Sequence, residues 1–252
     1  MSVNSVSSRL DWEDITWTDP DGGAIILHGV LPTIVFPRKL RPKFEWHGLA
    51  LLESEDIVEL WIQEEKDEAE SQGINRSHAL ISGGTMALYL DELIELEDIP
   101  SGRFPDPEPR RIHRLAIRHE RPVYFIEPSF DDELWEEHMI KEAKEVSRWR
   151  KLLGLISLGG KWRKRVKKNI FEAKKPPKGI GANFASASVL AATWWDLNEW
   201  LIGEQISDSR NARFAKRLRG ALADLRKTNG DDARLIVPIA MPWRLQILSS
   251  LD

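Results

Sequence analysis

Apolar residues along this chain follow two periods. Short unbroken runs, Ala24–His28 (AIILH), Val123–Glu127 (VYFIE) and Arg234–Ile239 (RLIVPI), have the length and branched content of buried strands. Leu10–Thr18 precedes the turn sequence Asp19-Pro20-Asp21-Gly22-Gly23, so strand, turn and strand predict a hairpin ending at His28. Asp56–Ile62 (DIVELWI) is a further β candidate, although its flanks are compatible with helix. Elsewhere the spacing is helical. Met86, Leu90, Leu93 and Leu96 lie on or near one face of Thr85–Leu96, and Ile112, Leu115, Ala116 and His119 recur at i, i+3, i+4 and i+7 before Pro122. From Asp131-Asp132 a face through Trp135, His138 or Met139, Ala143, Val146, Trp149 and Leu153 predicts one helix of about 22 residues. Ser186 or Ser188 opens a helix closed by Gly203, Ser209 caps another that ends at Asn229-Gly230, and Pro242 starts a last one.

Helices alternating with isolated apolar strands predict an α/β protein, with a mixed sheet of short strands flanked by several long amphipathic helices. The expected organisation is a disordered Ser-rich segment over 1–9 and a single domain over 10–252, with a Pro-rich break at 100–109 and a basic segment at 148–178. The absence of cysteine excludes a disulfide scaffold, thiolate zinc sites and a Cys nucleophile. The first twenty residues lack the basic and apolar regions of a signal peptide, and the longest uncharged run, Gly179–Trp195, is too short and polar to span a membrane. The expected location is therefore the cytoplasm.

A net charge of −4 conceals a strong asymmetry. Leu51–Pro109 holds 16 acidic and 3 basic residues, whereas Lys141–Lys178 holds 14 basic and 3 acidic ones. The densest stretch is Lys161-Trp162-Arg163-Lys164-Arg165-Val166-Lys167-Lys168, preceded by Arg148-Trp149-Arg150. Cations interleaved with tryptophan fit a nucleic acid; with Leu152, Leu153, Leu155, Ile156 and Leu158 beside them they equally fit an anionic membrane surface. The same charges also fit a solvated helix face answering the acidic half of this chain or of a second copy in a homo-oligomer.

Four segments, in order, resemble the TraB/pheromone-shutdown family, whose relatives include the Tiki proteins. Ile25–Pro32 (IILHGVLP) and Ile57–Leu60 (IVEL) occupy the places of its Gly-x-x-His strand and its Val-Glu-Leu segment. Arg110–Glu127 followed by Asp131–Leu153 matches its helix, strand and long helix. Leu201-Ile202, Ser209–Ala215 and Leu235–Pro242 match its Glu-Arg-Asp helix and its final strand ending in Gly-x-Gly-His. The resemblance implies a metal-dependent hydrolase, but Pro32 and Pro242 stand where its two histidines would fall. Proline has no side-chain donor for a metal. Of the family's polar positions, Glu59 and Arg210 keep their identity.

The remaining chemistry candidates are few. His28 and His47 with Glu59 are a donor set that suits zinc or manganese, yet no H-E-x-x-H or similar spacing is present. Glu59 is a candidate general base, a partner for Arg210, or a solvated residue; Glu127 is either a strand-end acid at a sheet edge or a loop residue. Nucleophile-elbow, dinucleotide and Walker motifs are absent, so no cofactor is expected. The expected function is binding or regulation by a family member without its histidines. The rivals are a module binding polyanions through 148–178, and an active hydrolase using Glu59, Glu127 and His28.

Overall fold

A computed structural model describes residues 8–129 and 131–252. The strands are β1 (Ile15–Thr18), β2 (Ala24–Val30), β3 (Gly48–Leu51), β4 (Val123–Phe125) and β5 (Arg234–Ala240). Between β3 and β4 run α1 (Ile57–Glu70), α2 (Ile74–Ile81), α3 (Gly84–Ile94) and α4 (Pro107–Arg118). Between β4 and β5 run α5 (Glu133–Val146), α6 (Trp149–Ile156), α7 (Leu158–Asn169), α8 (Asn183–Ile202) and α9 (Glu204–Asn229), and α10 (Arg244–Leu251) follows β5.

The sheet order is β1-β2-β5-β3-β4, which makes the protein α/β with a mixed sheet. β1 pairs antiparallel with β2 through the expected turn, with Ile15 opposite Leu27, and the other pairs are parallel. Parallel strands covered on both faces read as continuous apolar runs, which is why β2 and β5 stand out in the sequence. Along β5 the side chains alternate: Leu235, Val237 and Ile239 pack with Phe214, Leu218 and Leu222 of α9, while Ile236 joins Trp61 and Ile112 on the other face. Pro238 lies beyond Ile236, the last β5 residue paired with β3, so its missing N–H falls where β5 is bonded to β2 alone. A third cluster joins Leu31, Ile34 and Phe36, after β2, to α3 and α8.

Several boundaries differ from expectation. DIVELWI is the start of α1, because Trp61 settles it: its indole lies edge-on to His113 and under the Arg110 guanidinium, on α4. The single helix expected from Asp131 is two, broken at Ser147-Arg148, with Asp132 capping the first by accepting the Trp135 N–H. Ser209 lies inside α9, which begins five residues earlier, after Gly203 in a left-handed conformation. β1 starts at Ile15, so Leu10–Asp14 is not strand. The disorder expected for 1–9 lies largely outside the described residues, but Arg9 is held by Glu172 at 2.6 Å and Asp196 at 2.5 Å. Among the described residues, no helix is long and apolar enough to cross a membrane.

Candidate functional site

β2, β5, β3 and β4 all end at one edge of the sheet, the edge at which α/β proteins place their ligands. Half of that edge is closed. Arg244, 1% exposed, donates from Nη1 to the Glu13 carbonyl at 2.6 Å, from Nη2 to the carbonyls of Asp11 and Arg9, and from Nε to that of Met241. Burial pulls this guanidinium down to about 10, with Asp14 and Asp11 opposing. Residues 9–13 are thereby fastened across the ends of β2 and β5. Gly29 permits the approach, because a Cβ there would stand 2.8 Å from the guanidinium carbon.

The two positions where the family resemblance would place histidines follow β2 and β5. Val30 pairs with Ala240, so Pro32 and Pro242 each follow their paired strand end by two residues, and both are buried. His28 lies within β2 rather than at its end; its Nδ1 is 2.8 Å from Asp14 and its ring meets Phe36 edge-on. His47 precedes β3 at the opposite edge, where its Nδ1 accepts the Arg234 N–H at 3.1 Å. Glu59 is exposed on α1. The grouping of His28, His47 and Glu59 is therefore not assembled, nor is the pairing of Glu59 with Arg210. Among the described residues no group of three or more His, Asp or Glu side chains is arranged to hold a metal.

The half of the edge beside β3 and β4 is polar. Arg210, from α9, donates to Glu199 Oε1 at 2.7 Å and lies 5.0 Å from the ring of Trp243 and 5.6 Å from that of Trp195. Those two indoles stack at 4.7 Å, and Gln246 accepts the Trp195 N–H. His138 of α5 stacks on Trp135 at 4.8 Å, and its Nε2 lies 3.8 Å from Glu142, too far for a hydrogen bond. Burial, then Arg210, Arg213 and Lys141, hold His138 below the usual imidazole range, which favours its neutral form. Burial pushes the Glu127 and Glu142 carboxyls up, against the pull of Arg210. Nε2 of His138 and Nε of Arg210 are both buried without a hydrogen-bond partner.

Of the three sequence candidates, Glu127 and Arg210 are near enough to influence each other electrostatically, while Glu59 stands exposed on α1. His138, Glu142 and Glu199 were missed. Their trace is i, i+4 spacing, His138 with Glu142 on α5 and Trp195 with Glu199 on α8. Chemically the group offers two carboxyls that hold protons more tightly than usual, an imidazole that holds its proton less tightly than usual, and a fixed cation. These can donate to, accept from and exchange protons with a polar ligand.

Asp106, just before α4, accepts the Thr33 N–H at 3.3 Å. Burial pushes it up to about 7, opposed by Thr33 and reinforced by Glu108, Glu53 and Glu64. Between about pH 4 and pH 7 the folded state then binds more protons at this site than the unfolded chain, so stability falls as pH rises. Partial exposure and the helix N-terminus, which favours the anion, limit the loss to about 1–2 kcal/mol. Asp106→Asn is expected to raise stability by that amount at pH 8 and by nothing near pH 4, measured by urea unfolding. A gain equal at both pH values would refute this.

No protein-family model, curated protein or solved structure matches the chain.

Proposed function

We propose that this chain is a divergent TraB/Tiki-like protein acting by binding or regulation, without that family's metal-dependent hydrolysis. The observation that supports the proposal is the parallel register of β2 and β5, which ends at Val30 opposite Ala240 and leaves Pro32 and Pro242 each two residues past neighbouring strand ends. Neither position carries a metal donor. The residues nearby do not fit the family's metal: His28 is engaged by Asp14, and the Glu59 that would complete a site stands on the surface of α1. A hydrolase built on Glu59, Glu127 and His28 lacks a common location for its three groups. The polar edge around Glu127, Glu142, His138 and Arg210 remains as the place for a ligand with hydrogen-bond donors and acceptors.

After mild purification the protein is expected to hold no stoichiometric zinc or manganese and to have no peptidase activity stimulated by either metal. Elemental analysis and a peptidase assay with added Mn²⁺ or Zn²⁺ check this. One metal per chain, lost on His28→Ala or Glu127→Gln, would overturn the proposal in favour of the hydrolase.

A further inference from the structure

Amphipathic helices in a folded protein turn their apolar side inward; α6 does the reverse. Its inner side is Lys151 and Gly154, set against Trp200 of α8: Lys151 Nζ donates to the Trp200 carbonyl, and a Cβ on Gly154 would stand 2.6 Å from the Trp200 ring. The opposite side is Trp149, Leu152, Leu153 and Ile156, at i, i+3, i+4 and i+7. These side chains are exposed, Trp149 to 65% and Ile156 to 84%, and no residue of α6 is buried. Ile170 and Phe171, just past α7, are exposed as well.

Along the sequence the charge here is of one sign, although Glu145, just before it, pairs with Arg148 at 2.7 Å. From Val146 to Phe171 there are nine Lys and Arg residues and no Asp or Glu. On α7 the cations Arg163, Lys164, Lys167 and Lys168 are exposed. Trp162 departs from expectation: it is 1% exposed and donates to Glu92 Oε1 at 2.6 Å, so it is a core residue and not a stacking platform. Lys161 also turns inward, to the Gly154 carbonyl and Ser157 Oγ. A nucleic acid would use the cations and leave Leu152, Leu153 and Ile156 in water. An acidic lipid bilayer uses both, with head groups neutralising the cations while the stripe enters the acyl boundary.

We infer that α6 and α7 form a docking surface for an anionic membrane, with Trp149, Leu152, Leu153 and Ile156 inserted in the plane of the interface. The inference does not depend on the reading of the strand-end site. The test is co-sedimentation of the full chain with vesicles of phosphatidylcholine containing about 30 mol% phosphatidylserine, against phosphatidylcholine alone. Binding to the anionic vesicles is expected. Leu153→Gln with Ile156→Gln should weaken it about tenfold. Lys164→Gln, Lys167→Gln and Lys168→Gln together should weaken it at least as much and flatten its salt dependence. Every substituted position is exposed, so unchanged melting verifies that the variants fold. Equal sedimentation of the Leu153/Ile156 variant would overturn the inference. So would retention on single-stranded DNA that this variant leaves intact, which would assign the surface to nucleic acid. A dimer dissolved by the same variant would assign it to a second copy and equally overturn membrane docking.

Discussion

Replacing Arg244 with alanine is expected to remove about 3–5 kcal/mol of stability, a large part of what a domain has. The guanidinium, itself 1% exposed, supplies hydrogen bonds to the buried Met241 carbonyl and to the partly buried carbonyls of Glu13, Arg9 and Asp11. Each carbonyl left without a donor costs about 1–3 kcal/mol, partly offset because a buried cation no longer has to be desolvated. Lysine restores the charge but not the planar fork, so Arg244→Lys should recover only part of the loss. Gly29→Ala approaches the same contact from below and should also destabilise, by forcing the guanidinium aside. Urea unfolding measures the size of each effect, and trypsin reports its place: cleavage after Arg9 should accelerate in Arg244→Ala before the rest of the chain opens. A loss under about 1 kcal/mol would mean that residues 9–13 are held by other contacts.

Ending the chain after Gly230 is expected to abolish cooperative folding of the whole protein. The cut removes β5, whose Leu235, Ile236 and Val237 are fully buried, together with Ile239, Met241, Ile247 and Leu251. At about 1.5–3 kcal/mol for each buried side chain, seven of them match or exceed the usual net stability of about 5–15 kcal/mol. The sheet also loses the strand joining β2 to β3, leaving two separate pairs. A soluble 1–230 fragment with native-like circular dichroism and a cooperative melt would refute this.

Of the five strands, β1, β2, β4 and β5 could be read from the sequence. β2 and β5 are continuous apolar runs in the sequence, and the Asp19–Gly23 turn marks the hairpin. β3 was missed because it is four residues, Gly48–Leu51, whose strand character comes from pairing with Leu235 and Ile236 on one side and Leu49 with Val123 on the other. DIVELWI carries no local signal separating helix from strand, and the choice is made by Trp61 against α4. In the basic run, the inward spacing of Trp162, Val166 and Asn169 is the trace of a helix with one buried side. At the candidate site, Glu127 was legible as a strand-end acid and Arg210 through the resemblance. His138, Glu142 and Glu199 lie on helices that only tertiary packing brings together, and no local pattern records that encounter.

The place of β5 between β2 and β3 also sets a timetable for synthesis. Leu51 ends β3 and Ala240 ends β5, 189 residues later. A ribosome adding about 5–20 residues per second takes roughly 10–40 s to cover that distance. Throughout that interval β2 and β3 have been made but the strand that joins them has not, so each carries an unpaired apolar edge. Loop-closure entropy makes such distant pairings slow even once the chain is complete. The nascent protein is therefore a natural client for chaperones that hold exposed strands. Its yield on expression should respond to slower translation and added holdase more than that of a protein whose sheet is assembled in chain order.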